Sequence, residues 1–510
     1  MVSKVLGYFN FILLFIFGLG NAQTNYSINE QQSVSAILPE DYVQNLGKGF
    51  DVTWSEFTKY MNLYNEQDVI DFSDAGFTNV RIRIGDANPD ATFIARLKMQ
   101  VDHCIAHGIY PIIAYQGAYI EDVATSDDDA RQHLVDWWRN MAQEFQGYSN
   151  MLAFDILVEI SGTYKLNYTA INSFYADVLA AIRETNPDRI VIFPPVKLSD
   201  PTYLQYLEIP GTNDPYTMAE WHFYAAGPTT DPSNKKYWND GSTLTERENI
   251  TVPIQTAVDW MQNTGHKTWV GAWMAGNYNK GNEFTIPEQV AFATFMTREL
   301  AKAKIPWSIN AGNKFYDYGT NTWFTSTTDV AGLPVRDAIL DTEKIAVYQS
   351  QSYAGASYRL APGNYNMSDL QAIGFYQSIN SIMVPFDFKV ELYDQPNFQG
   401  QKITLTATQE SLNGFAVNSL KVFALNSYSG ILAVESLSKT KKNIYPNPVK
   451  DIVHIKGFDT INKISVYDIT GKEITFKIDS KSPSKLDFSN LPKGIYILKI
   501  DSEVFKLIKH

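Results

Sequence analysis

The sequence predicts an α/β chain, a (β/α)8 TIM barrel followed by two small all-β domains. Three observations carry this. From about residue 45 to 340, apolar strand-like runs alternate with helical patterns. That alternation fills roughly 300 residues, close to the ~250 usual for eight strand–helix units. Beyond about residue 345 the helical period disappears, and short runs between Gly, Asn and Asp turns replace it. A doubly wound open sheet also alternates, but no Gly-rich phosphate loop follows the first strand.

Taken in order, the chain opens with "MVSKVLGYFNFILLFIFGLGNAQ": Lys4, an apolar stretch from Phe9 to Phe17, then small residues before Gln23. This is expected to be a secretory signal peptide over 1–22, cut after Ala22. The apolar stretch is short for a spanning helix, and no transmembrane segment is expected in the mature chain. Cys104 is the single cysteine, so no intrachain disulfide is expected. It falls on the apolar face of a helix and reads as buried filler.

The barrel is expected over 23–342. Its strand runs are "KGFDVTW", "TNVRIRIG", "YPIIAYQG", "LAFDILVEIS", "RIVIFPPV", "MAEWHFYA", "KTWVGAWMAG" and "PWSINAGNK". Between them Ile94, Leu97, Val101, Cys104 and Ile105 follow one helix face, as do Leu134, Trp137, Trp138, Met141 and Phe145. A formal net charge of −13 argues against nucleic acid as partner. All arginines lie at or before Arg359, inside the acidic front of the chain, where a local cluster can still face an anionic sugar.

In such a barrel, functional side chains come from the C-terminal strand ends. Alternation puts Asp155, Leu157 and Glu159 on one face, and Glu220, His222 and Tyr224 on another. The candidates are Arg81 and Arg83, Tyr115 or Gln116, Glu159, His222, Tyr224, Asn277, Tyr278, Asn310 and Lys314. Only one of the two arginines is expected on the lumen side with Glu159. No metal or cofactor is expected.

"GFTNVRIRIG", "HGIYPIIAYQG", "AEWHFYA" and "TWVGAWMAGNYNKG" together resemble glycoside hydrolase family 5 over nearly the whole barrel. The resemblance implies that Glu159 holds the acid/base position, with Val158 in place of the usual preceding Asn. It implies that His222 and Tyr224 are the pair holding nucleophile and substrate, and that Ala272 stands where the nucleophile belongs. The strand-three His is replaced by Tyr115 or Gln116, and the strand-eight Trp platform by Asn310.

A retaining glycosidase needs two carboxyl groups ~5 Å apart, and alanine supplies neither a covalent bond nor a proton. Three readings follow. The favoured one is elimination from a uronic-acid-containing oligosaccharide. Glu159, His222 and Tyr224 would supply base and acid, while Arg81 and Arg83 with Lys314 or Asn310 neutralise the substrate carboxylate. Lyase and dehydratase are not separated by sequence. The second reading is hydrolysis with a relocated or substrate-supplied nucleophile. The third is an inactive, glycan-binding barrel. For the arginines the bland alternative is an ion pair with Glu159 or Glu220 inside the barrel.

Residues 343–426 read as an all-β module with two similar halves, "YAGASYRLAPGNYNMSDL…INSIMV" and "YDQPNFQGQKITLTA…VNSLKV". They resemble a βγ-crystallin domain, with Tyr353, Gly355, Tyr393, Phe398 and Gly400 at motif positions. The Asn/Asp pairs that hold calcium in that family are absent from "YQSINS" and "GFAVNS", so calcium is not expected. A linker over 427–441 precedes 442–510. There "IYPNPVKDIVHIKG", "ISVYDITGKEI" and "LPKGIYILKI" resemble a type IX secretion C-terminal sorting domain, with the Tyr445-Pro446-Asn447-Pro448 turn, Gly471 and Gly494-Ile495-Tyr496. That resemblance implies the type IX secretion machinery as partner. Export then runs through periplasm and outer membrane to a secreted or cell-surface location.

Overall fold

The computed structural model describes residues 35–425 except 212, 225–237, 239, 277–283 and 326–330. In the tail it describes 443–445, 449–456, 461, 463–468, 472–474, 485–489, 491–501 and 503–509. The expected signal peptide, Asn277, Tyr278, the linker, Pro446–Pro448 and Gly471 lie outside the described residues. No helix among the described residues is long and apolar enough to cross a membrane.

Eight parallel strands close in sequence order: β1 Lys48–Ser55, β2 Asn79–Ile84, β3 Tyr110–Tyr115, β4 Ala153–Asp155, β5 Val191–Phe193, β6 Thr217–Tyr224, β7 Lys267–Met274 and β8 Trp307–Asn310. Pairs such as Lys48↔Trp307 and Asp51↔Asn310 seal the barrel. Every predicted run contains one strand, although β4 and β5 are shortened to three residues. The predicted helical faces form the helices Ala91–Ala106 and Asp127–Glu144. Leu97, Val101 and Cys104 are buried in the first; Leu134, Trp137, Trp138 and Met141 in the second. Helix starts carry side-chain caps: Asp90 accepts from the Phe93 N–H, and Ser126 from the Asp129 N–H.

The barrel interior is layered. At its N-terminal end the helix Pro39–Leu46 sets Tyr42 and Leu46 against Ile112, Ala153, Met218 and Trp269. Above this apolar floor the lumen turns polar, with Arg81, Asp155 and Glu220 all fully buried. One irregularity positions the next layer. β6 and β7 pair Trp221 with Val270 and then His222 with Ala272, leaving Gly271 as an extra residue. A Cβ on Gly271 would lie 1.8 Å from Glu220 Oε2, so glycine is what lets that carboxylate cross the lumen.

Residues 345–424 fold into a three-stranded and a four-stranded antiparallel sheet around a core that includes Ile345, Val347, Leu392 and Leu420. The halves repeat one hydrogen-bond pattern. Ser381 Oγ accepts from the Tyr353 N–H, as Ser419 Oγ does from the Phe398 N–H. Asn380 Nδ2 donates to Gln349 O, as Asn418 Nδ2 does to Asp394 O. The module packs on the barrel: Arg298 of the helix Ile286–Ala303 donates to Phe386 O at 2.9 Å, and Phe295 meets the Phe386 ring edge-on.

The tail, Asn426–His510, is a separate compact unit. Its described residues form a three-stranded and a four-stranded sheet around Val453, Val466, Leu486, Leu498 and Leu507.

Candidate active site

The mouth at the C-terminal strand ends opens into a cleft of about 280 Å³, lined among others by Asp51, Arg83, Gln116, Glu159, Ser161, Leu198, His222, Tyr224 and Asn310. β4 stops at Asp155, so simple alternation does not carry on to Glu159. A left-handed backbone turn, φ 52° at Glu159, places that residue on the cleft wall instead. Its neighbour is fixed too, because Glu121 accepts from both the Ser161 backbone N–H and hydroxyl.

Three predicted residues meet there. Tyr224 donates to Glu159 Oε1 at 2.7 Å, and His222 Nδ1 lies 2.8 Å from the same oxygen. Asn310 Nδ2 donates to the Tyr224 hydroxyl at 3.3 Å. On the other edge of the imidazole, Nε2 lies 3.2 Å from Glu220 Oε2. Arg81 Nη1 is 3.1 Å from that same Nε2, a contact that only a neutral ring accepts as a hydrogen bond. Carboxylates on both edges decide in favour of the charged ring. Burial works against it, but the charge of Glu220 and hydrogen bonds to Glu159 and Glu220 raise His222 to about 9. Glu159 moves the other way. Burial pushes it up, but the His222 and Tyr224 hydrogen bonds and the charges of His222 and Arg81 hold it at about 2. The resting site is therefore a carboxylate–imidazolium pair, with the Glu159 side chain 29% exposed.

Beneath it lies an ion cluster that sequence only half revealed. Arg81 Nη2 is 2.6 Å from Asp155 Oδ2 and 3.0 Å from Glu220 Oε2. Arg83 Nε is 2.8 Å from Asp51 Oδ1, and its Nη2 is 3.0 Å from Glu56 Oε2. Burial pushes Asp51 and Asp155 above the usual carboxylate range, while Arg81 and His222 hold Glu220 ionised against its own burial.

Several expectations are corrected. Arg81 and Arg83 both face the lumen, because residues two apart on a strand share a face; they differ in depth. Arg81 is fully buried and pairs with Glu220, so it does not reach a ligand. Tyr115 points outward, stacked 4.1 Å from Trp137 and bonded to His133, whereas Gln116 faces the cleft and donates to Glu56. Lys314 sits half-buried on the turn Gly312–Lys314 and does not line the cleft. Asp51, Glu56 and Asp155 were not among the predicted site residues. An acid inside the apolar run "KGFDVTW" was the available signal for Asp51.

Among the described residues the expected cationic surface is not found. Three cations, Arg81, Arg83 and His222, face five carboxylates, Asp51, Glu56, Asp155, Glu159 and Glu220. Among the described residues no His, Cys, Asp and Glu group is arranged to hold a metal ion.

A closed (β/α)8 barrel with an acid, a histidine and a tyrosine joined at its strand ends has the layout of a barrel enzyme's active site, and the matching family model makes the class carbohydrate-active. Within that class the chain belongs to glycosyl hydrolase family 5: the family's cellulase model matches residues 44–313. A secretion system C-terminal sorting domain matches 443–510, which marks the chain as secreted or attached at the cell surface. Endoglucanase H of Acetivibrio thermocellus is 26% identical over 212 residues, covering 38% of this chain and 22% of that protein. Endoglucanase A of Clostridium longisporum is 21% identical over 343 residues, covering 58% and 66% respectively. The chain thus spans less than two thirds of either relative. Development-specific protein S of Myxococcus xanthus is 32% identical over 84 residues, 16% of this chain and 49% of that protein. Among solved structures, a broad-specificity endoglucanase from Clostridium longisporum covers 60% of this chain and 98% of its own at TM-score 0.50 and 18% identity, a likeness of fold.

Proposed function

We propose that this is an exported glycoside hydrolase acting on a neutral polysaccharide, with Glu159 as the proton-transfer carboxylate. The carrying observation is the bonding of Glu159 to His222 and Tyr224 at an open cleft of a family 5 barrel. The names of the endoglucanase relatives support a glucan as the first substrate to try. Elimination from uronates, which sequence favoured, is the weaker reading. It needs cationic neutralisation of the substrate carboxylate, and both arginines are already matched by protein carboxylates.

As a carboxylate, Glu159 takes a proton from a water that attacks the anomeric carbon; the glycosidic C–O bond breaks, the leaving oxygen takes its proton from solvent at the cleft mouth, and charged His222 holds Glu159 in place. Ala272 packs against Tyr224 and Met274 and offers no carboxylate for a covalent sugar bond. The reaction therefore runs without a glycosyl-enzyme ester on that strand. One observation favours a second reading, a barrel that holds glycan without turning it over. A family acid needs a raised pKa to protonate a leaving oxygen, and Glu159 is held at about 2.

We infer further that 343–426 is a βγ-crystallin-like module on the strength of its twin hydrogen-bond pattern, and that 427–441 links it to the sorting domain.

The test places the protein without its sorting tail on cellulose, xyloglucan, mannan and uronate-bearing oligosaccharides, with reducing ends and unsaturated-uronate absorbance read in the same tube. Reducing ends from a neutral glycan that fall by about 100-fold or more in Glu159→Gln support hydrolysis. Absorbance from uronates reinstates elimination. Binding with neither signal makes the barrel a glycan receptor, and Ala272→Glu should then restore turnover.

A further inference from the structure

Two loops leave the mouth beside Glu159 carrying aromatic side chains that the site above does not use. After β4 the chain runs through the turn Gly162–Tyr164 to Leu166 and Tyr168; after β5 it runs through residues 197–199 to the turn Pro201–Tyr206. Tyr168 and Tyr206 stack with ring centroids 4.8 Å apart and planes at 16°. Each remains 40% exposed, and Leu166 nearby in sequence is 58% exposed. Tyr203 meets Tyr206 edge-on at 5.4 Å, with the Lys197 ammonium 4.8 Å from its own ring centre. One exposed aromatic needs no explanation; a stacked pair flanked by further apolar surface does.

The backbone under this patch is strained. Lys197, Leu198 and Ser199 are three successive non-glycine residues with φ of 59°, 61° and 56°. L residues enter that region singly, and such strain persists where the surroundings over-determine it, above all at ligand clamps. Here Lys197 N–H donates to Lys165 O at 2.8 Å and Leu198 N–H to Ile160 O at 3.0 Å. The Ser199 hydroxyl donates to Glu220 Oε1 at 3.1 Å. One short segment therefore fixes the cleft wall at Leu198 and leads directly into the aromatic turn.

Across the mouth, Phe57 follows β1 and is 56% exposed. It adjoins Glu56, which holds Arg83 and Gln116 at the cleft. In the closed order β1 to β8, β1 and β5 stand opposite each other. A path from Phe57 to Tyr206 therefore crosses the mouth that holds Glu159.

We propose that Tyr168 and Tyr206 form a sugar-stacking subsite, and that with Phe57 they hold an extended glycan chain across the mouth. Aromatic faces take the apolar face of a pyranose ring and need no charge on it, in keeping with the balance of the cleft. The proposal rests on the neutral-glycan reading above.

The test is affinity gel electrophoresis of the full chain through hydroxyethyl cellulose, xyloglucan and galactomannan, beside cellotriose and cellohexaose binding by calorimetry. Tyr168→Ala with Tyr206→Ala should weaken binding to the retarding polymer by about tenfold, with the melting temperature kept. Tyr168→Phe with Tyr206→Phe should bind as the parent does, since the ring face is retained. Should the alanine pair fold poorly, Leu166→Asp, at a more exposed position, carries the same expectation. Polymer binding by the alanine pair within about twofold of the parent overturns the subsite while leaving the neutral-glycan reading standing. A parent chain retarded by none of the polymers overturns both.

Discussion

Arg81 and Arg83 stand two residues apart on one strand, face the same lumen and lead different lives. Arg81 has no exposed surface and is shared between Asp155 and Glu220 on the far strands. Arg83, with its side chain 14% exposed, is gripped at the rim by Asp51 and Glu56. The same chemistry at two depths gives a keystone below and an adjustable wall above. In this barrel, height along the strand separates what holds the fold from what meets a ligand.

The contrast breaks most sharply if both arginines are replaced in turn. Arg81→Met leaves two buried carboxylates without their cation and should cost about 3–5 kcal/mol in urea unfolding. Arg83→Met leaves Asp51 and Glu56 without their cation closer to solvent and should cost less, about 3 kcal/mol or below. Equal losses would remove the distinction.

The next test titrates the layer between them. His222 is raised from 6.5 to about 9 in the fold. Its contribution is therefore fully present below about pH 6.5 and is lost as pH rises through about 9, an effect on the order of 3 kcal/mol. Glu159 is lowered from 4.5 to about 2, so its contribution is present above pH 4.5 and is lost as pH falls toward 2. Melting temperatures between pH 6 and 10 should decline in the parent and flatten in His222→Asn.

A smaller effect sharpens the rim. Glu56→Gln removes one of the two carboxylate charges on Arg83 while leaving an amide in its place, and should cost less than Arg83→Met. Binding of a uronate oligosaccharide should nevertheless rise several-fold, because Arg83 gains a free edge. No gain would mean that Asp51 alone neutralises Arg83. The smallest effect lies on the loop after β5: Asp200→Asn breaks a partly exposed pair with Lys197 and should move stability by at most about 0.5 kcal/mol.

The barrel was legible because each strand run is bounded by turns and each helix shows a buried face. Periodicity also put His222 and Tyr224 on one face of β6, whereas it put Glu159 on a strand that in fact stops at Asp155. What it did not carry was depth and pairing. Alternation told which face Arg81 occupies, but its burial depends on Asp155 and Glu220 from two other strands. Tyr115 and Gln116 differ by a single step in parity, which is set by where β3 starts. The apolar run after Asp155 read as continuous strand, yet the ladder ends there and Glu159 turns left-handed. No local pattern encodes that turn, since the apolar residues Ile156, Leu157 and Ile160 around it are buried in packing whether or not the ladder continues.

Arg298 has a consequence for how the exported molecule behaves under heat and force. It leaves a barrel helix, donates to Phe386 O and Thr342 O, and lies over the Phe388 ring. A few residues on, Tyr348 donates to buried Asp337. A hinge needs a joint whose backbone turns without tearing buried contacts, and this joint is sewn through by them. Barrel and β module should melt in a single calorimetric peak and tumble as one body, so the module cannot serve as a swinging arm.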